Sequence, residues 1–249
     1  MTKEELSKRL ARLPMIDTEH QSEHGDMYRV RRLEPLPIVF DPERHRYRWE
    51  PTGEVMSHSV TGILRAKKDP KLLELFEQTK HIWAPRGNTI HNAMELFLNG
   101  AEPDSLLGTD YDAWLRPAFD HPMWEHMEVI ATEYSLCDPR RSLGGQLDFL
   151  AWDHVLDRMV LGDFKTSGKS KRRYNTAPQL GAYLGMLIDR CKVVVDECIT
   201  VWIAPGETSL GFFDDDGRRL DSRSEPTPEQ CLQQWEDAFD FWNSQQEEL

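Results

Sequence analysis

The chain has 249 residues, with 30 Lys and Arg against 43 Asp and Glu, for a formal net charge of −13. That balance excludes a generally basic nucleic-acid coat, while leaving room for a local basic track or for acids that hold metal ions. With 39% hydrophobic residues, no apolar run near the ~18 residues of a membrane span and a charged start (MTKEELSKRLARL) where a signal peptide needs an apolar stretch, it reads as one large cytoplasmic domain with no membrane partner.

Thr2 and Glu5 form a capping-box pattern for a short helix, TKEELSKRLARL. Residues 14–36 are polar and irregular and read as a loose arm. HRYRWEPTGEVMSHSVTGIL alternates around Pro51-Thr52-Gly53, a hairpin signal. KLLELFEQTKHIW is helical after Asp69-Pro70. In APRGNTIHNAMELFLNG, the apolar residues Ile90, Ala93, Met94, Phe97 and Leu98 keep helical spacing up to Asn99-Gly100. Residues 101–127 read as helix plus loops. EVIATEYSL, GGQLDFLAW and RMVLGDFKT read as strands, followed by a helix from Pro178 to Asp189, a strand CITVWIA and a last helix. Thr227-Pro228-Glu229-Gln230 supplies that last helix with an N-cap, a first-position Pro and a capping-box Gln; Leu232, Trp235, Phe239 and Trp242 give it one apolar face. The expected architecture is a single α/β domain over 1–249, with a central mixed β-sheet flanked by helices and helical decoration at the N-terminal end. Cys137, Cys191, Cys198 and Cys231 match neither a zinc nor a disulfide spacing and are expected to be buried free thiols.

The chemistry concentrates in a few places. Strand side chains alternate, so Asp163 and Lys165 project together while Phe164 points to the opposite layer. An isolated D-x-K tripeptide is ordinarily a surface ion pair. Here Asp148 lies one strand earlier, and the short link DHVLDR suits an antiparallel connection that sets Asp148 against Asp163. Two close carboxylates repel unless a cation lies between them, and hard oxygen donors suit Mg²⁺ or Mn²⁺. Gly144-Gly145 upstream would allow a close approach of backbone or substrate. His91 and Glu95 share one side of their helix at the rim of its apolar face. Arg86-Gly87 at the helix start would suit a phosphate. Gln179 and Tyr183 repeat the i, i+4 relation on the later helix. Lys169, Lys171, Arg172 and Arg173 form a basic loop where a phosphate backbone would pass.

Together, RGNTIH with Glu95, GGQLD, GDFKTS and QLGAY, in that order across residues 86–183 and preceded by SVTGIL, resemble the PD-(D/E)XK nuclease superfamily, in its RecB-type exonuclease branch. The resemblance implies a restriction-endonuclease-like core, with its motifs within 86–189, and an Mg²⁺- or Mn²⁺-dependent deoxyribonuclease. Asp148 and Asp163 would bind metal, with His91 and the Phe164 carbonyl as further ligands. Glu95 would support the metal or orient water, and Lys165 would position the water and offset charge on the phosphate. Gln179 and Tyr183 would contact DNA and brace the site. Leu147 stands where the superfamily's name expects Pro. The cysteines do not resemble the iron–sulfur arrangement of some relatives, so no cluster is expected. No Walker-type segment implies an ATP motor.

The expected function is exonucleolytic hydrolysis from DNA ends, in recombination, repair or phage DNA processing in a bacterial or phage-infected cell. A recombination or single-strand-binding protein is a conceivable partner, and a homo-oligomer is compatible. The alternatives are a structure-specific or single-strand endonuclease and a non-catalytic nucleic-acid-binding protein on the same scaffold.

Overall fold

The computed structural model describes residues 12–21, 27–41, 44, 46–168 and 173–247. The helix expected over TKEELSKRLARL, residues 2–13, lies outside the described residues except for Arg12 and Leu13, which form a turn and a bend. In place of a loose arm, Met15–Gln21 (β1) and Met27–Leu33 (β2) pair as an antiparallel hairpin. These strands escape an apolar-periodicity reading because charged pairs such as Arg29–Glu19, 3.1 Å, face each other across the ladder. The hairpin is fastened down. Arg32 donates to the carbonyls of Val129 at 2.7 Å and Leu98 at 2.9 Å, and the Tyr134 hydroxyl donates to the Glu34 carbonyl at 2.6 Å.

Ile38–Asp41 (β3), Arg46–Trp49 (β4) and Glu54–Val55 (β5) make a small antiparallel sheet, with the hairpin turn at Pro51-Thr52-Gly53. His58–Ser59 (β6) then enters the main sheet. The N-terminal decoration is therefore built of strands among the described residues, and the first described helix is Val60–Arg65 (α1). Pro70–Gln78 (α2) follows the Asp69 cap. Lys80–Leu98 (α3) runs through Pro85 and stops at Asn99, with Gly100 taking the left-handed conformation after it. Residues 101–127 hold one short helix, Asp112–Phe119 (α4), between two 3₁₀ turns.

The main sheet contains Met127–Asp138 (β7), Leu143–Asp153 (β8), Arg158–Thr166 (β9), Glu197–Ala204 (β10) and Glu207–Leu210 (β11), together with β6. Its order is β11-β10-β9-β8-β6, with β7 on the other edge of β8. The β9–β10 and β6–β8 pairs are parallel and the others antiparallel, so the sheet is mixed. Ala177–Cys191 (α5) is the crossover between β9 and β10. Pro228–Glu247 (α6) begins with a reciprocal cap: Thr227 N–H donates to Gln230 Oε1 at 2.9 Å, and Gln230 N–H donates to Thr227 Oγ1 at 3.3 Å.

Two cores sandwich the sheet. On one face α1, α5 and α6 cover Leu147, Leu150, Trp152, Met159 and Leu161, with Leu232, Trp235, Phe239 and Trp242 packing in from α6. On the other, α3 and α4 cover Phe149, Ala151, Val160, Phe164, Val201 and Ile203. At about 25 cal/mol per Å² these two apolar layers supply the main driving force for folding. Gly145 admits the Tyr183 ring, since an added Cβ would lie 2.9 Å from it, and Gly144 lies under Tyr47. Both glycines thus accommodate side chains of this chain.

Candidate active site

The site opens where β8 and β9 part. The last paired rung between them is Phe149–Gly162, and on the same edge of β8 the strand β6 takes over at Gly144. Asp148 stands in the fork. Its carboxylate replaces the missing strand partner: Phe164 N–H donates to Asp148 Oδ2 at 2.5 Å. A strand residue presents its N–H and C=O to the same edge, so the Phe164 carbonyl also opens toward the fork. The alternation of faces slips here. Leu147 and Leu150, three residues apart, join the same core, as do Ala131 and Tyr134 on β7. The pairs Thr132–Phe149 and Tyr134–Leu147 set Glu133 opposite Asp148, just past the register shift between Val129 and Ala131, and Glu133 has a left-handed backbone, φ 42°. That conformation costs a non-glycine residue about 1–2 kcal/mol.

Asp163, one rung beyond Gly162, is fully buried on the α5 face. Lys165 Nζ lies 2.5 Å from its Oδ2, and Gln179 Nε2 donates to its Oδ1 at 2.9 Å. The same Gln179 amide donates to the Tyr183 hydroxyl at 3.1 Å. The i, i+4 pair on α5 therefore braces Asp163, with Tyr183 itself buried. From the α3 side His91 Nδ1 approaches Asp148 Oδ1 at 3.6 Å and Glu133 Oε1 at 3.8 Å. One donor atom each from His91, Glu133 and Asp148 lies within 4.8 Å of the others. Glu95, half-buried one turn further along α3, adds negative potential at Glu133.

The electrostatics follow from burying four carboxylates with two cations. Burial disfavours charge on His91, but Asp148 and Glu133 outweigh it and push the imidazole up to about 10. Burial also opposes ionisation of Asp148, yet His91 and Lys165 hold its pKa below the usual carboxylate range. Asp163 goes the other way, up to about 6, because burial dominates and Asp148 adds to it against Lys165. Burial raises Glu95, and it raises Glu133 despite the bond from His91. Lys165 is held charged: Asp163, Tyr174 and Asp148 more than offset its burial.

The structure thus brings His91, Glu95, Asp148, Asp163, Phe164, Lys165, Gln179 and Tyr183 together. Arg86 and Gly87 lie against Gly168 and Thr166, just after Lys165, but not as expected. Gly87 lies in the second turn of α3, not at its start, so its N–H is committed to the helix. Arg86 is half-buried on α3 beside Gly168, with its Nε unpartnered. Arg173 is not a tracking cation. Its guanidinium stacks on Trp202 at 5.0 Å and Phe213 at 5.6 Å and pairs with Glu207 at 2.9 Å. Lys169, Lys171 and Arg172 lie outside the described residues.

Two residues escape a sequence reading. Glu133 sits in EVIATEYSL, where one acid in an alternating strand reads as a solvent-facing residue; only its φ and its rung reveal it. Tyr174 follows the basic run and packs edge-on to Trp202, 5.4 Å between ring centres; Trp202 is the β10 partner of Lys165. No protein-family model matches the chain, and no curated protein matches it as a relative.

Proposed function

We propose that the protein is a divalent-metal-dependent deoxyribonuclease, an exonuclease that hydrolyses DNA phosphodiester bonds from ends. The observation that carries the reading is the convergence of Asp148, Asp163 and Lys165 in one fork of the sheet, facing His91 and Glu133. The donor chemistry fits a metal ion. Two carboxylates and an imidazole converge, the Phe164 carbonyl opens beside them, and nearby acids exceed nearby cations, an arrangement a divalent ion would neutralise. The mixed nitrogen and oxygen set favours Mn²⁺ over Mg²⁺.

His91, Glu133 and Asp148 would hold the ion, which when bound supplies Lewis-acid charge and a lowered pKa for water. The chain's own groups do the rest. Asp163, fixed by Gln179, aims the Lys165 ammonium into the fork, where it would pair with a phosphate oxygen and offset charge developing there. Glu95, kept prone to protonation by burial, is placed at the rim to hold a proton. Work on recombining, repaired or phage DNA in the cytoplasm fits the same reading.

The test incubates the protein with end-labelled linear DNA and with circular DNA, in Mn²⁺, Mg²⁺ or EDTA. Metal-dependent loss of linear DNA alone is expected. Nicked circles would make it an endonuclease, and DNA left intact by both metals but tightly bound would make it a binding protein.

A further inference from the structure

Beside the fork stands a group of aromatic rings that the proposed chemistry does not use. Tyr174 is 40% exposed, with one edge packed on buried Trp202. Lys68, in the link between α1 and α2, holds its ammonium 5.4 Å from the Tyr174 ring centre and 5.3 Å from that of Phe76 on α2. α2 itself buries no residue, although its sequence, PKLLELFEQ, is rich in large apolar side chains. Leu75 is 49% exposed, and Ile82 at the start of α3 is 57% exposed. What ties α2 down is the Trp83 indole, donating to the Phe76 carbonyl at 2.9 Å, and the ion pairs of Glu77 with Arg65 and Lys80. An amphipathic helix that buries no side chain is thus set beside Tyr174, with the Lys68 ammonium over both rings.

We propose that Tyr174 and Phe76, with Lys68 between them, form the subsite that takes an unpaired base of the strand whose phosphate lies at the fork; this rests on the nuclease reading above. Every base has a π-face, and aromatic side chains beside a cationic track are how proteins hold single strands without reading sequence. A paired and stacked base inside a duplex has no free face to offer Tyr174. Charge points to the same occupant. In a chain of net charge −13, Lys68 lies over the Tyr174 ring, and Lys165 is the strand partner of Trp202, on which that ring packs. An entering base would displace the Lys68 ammonium from between the rings toward the adjoining phosphate. The subsite therefore selects strands that are single or frayed at their end.

The test measures binding in EDTA of a labelled single-stranded oligodeoxynucleotide and of a blunt duplex of the same sequence, for wild type, Tyr174→Ala and Tyr174→Phe. Wild type is expected to prefer the single strand. Tyr174→Ala is expected to lose roughly tenfold on the single strand while duplex binding stays put, and Tyr174→Phe, which keeps the ring, to bind as wild type. Equal single-strand binding by wild type and Tyr174→Ala, or equal losses on both substrates, overturns the subsite. Cleavage in Mn²⁺ separates the two readings. A wild type that cleaves while Tyr174→Ala is neutral for the single strand keeps the nuclease and removes the subsite. A wild type that cleaves nothing, with the single-strand loss intact, does the reverse.

Discussion

At the scale of single residues, the fork is defined by charges that cannot all be ionised together. His91 shows this most clearly. Its folded pKa, near 10, lies above the ordinary value of 6.5, because Asp148 and Glu133 favour the imidazolium more than burial opposes it. A group with a raised folded pKa contributes stability that is complete below its unfolded pKa and is lost as pH rises through the folded one. In EDTA, wild type should therefore exceed His91→Gln in melting temperature most at pH ~6, the gap closing toward pH ~10. A gap independent of pH would show that His91 is not held by the two acids. The proposed chemistry also assigns separate losses. Asp163→Ala and Lys165→Ala are expected to abolish cleavage with the fold intact by circular dichroism. Near-wild-type rates in either would remove those residues from the site.

At the scale of elements, the close approach of α5 and α6 positions the brace. A Cβ on Gly181 would lie 2.0 Å from the Cys231 carbonyl oxygen, a backbone atom that cannot swing away. Gly181→Ala is expected to cost about 1–3 kcal/mol, read from the denaturation midpoint, by prising α6 from the helix that carries Gln179 and Tyr183. An unchanged midpoint would mean that the helices slide apart freely. Most elements were legible in the sequence where apolar spacing marks them: α3 ends at Asn99, and α6 carries the expected reciprocal cap. β1 and β2 were not, because their pairing rests on backbone bonds, facing charges and the Arg32 anchor. The start of α3 is not legible: the sequence sets it at Arg86-Gly87, whereas the helix begins at Lys80 and carries Pro85 inside it.

At the scale of the molecule, the half of the site carried by regular geometry was readable. Asp163 and Lys165 share a face by strand alternation, and Gln179 and Tyr183 share one by helical spacing. The other half depends on where regularity fails. Glu133 reaches His91 where its own left-handed backbone breaks the regularity of β7, just past the register shift between Val129 and Ala131, which no period reveals. The basic track shows the converse: Arg173, one more cation in a charged run, is spent inside the protein on Glu207 and two rings. The cysteines behave as ordinary core residues. All four are buried, and burial pushes the Cys137 thiol up to about 11. Iodoacetamide at mildly alkaline pH is expected to leave the native protein unmodified and to label all four thiols once it is unfolded. A fast-reacting thiol in the native state would contradict that packing.

We propose that the fork between β8 and β9 holds a divalent metal ion. It is tested most directly by anomalous diffraction from crystals soaked in Mn²⁺. A peak bounded by His91, Glu133 and Asp148, and abolished in Glu133→Gln crystals, is the expected result. No peak in the fork at saturating Mn²⁺, or a peak that ignores the loss of Glu133, would contradict it.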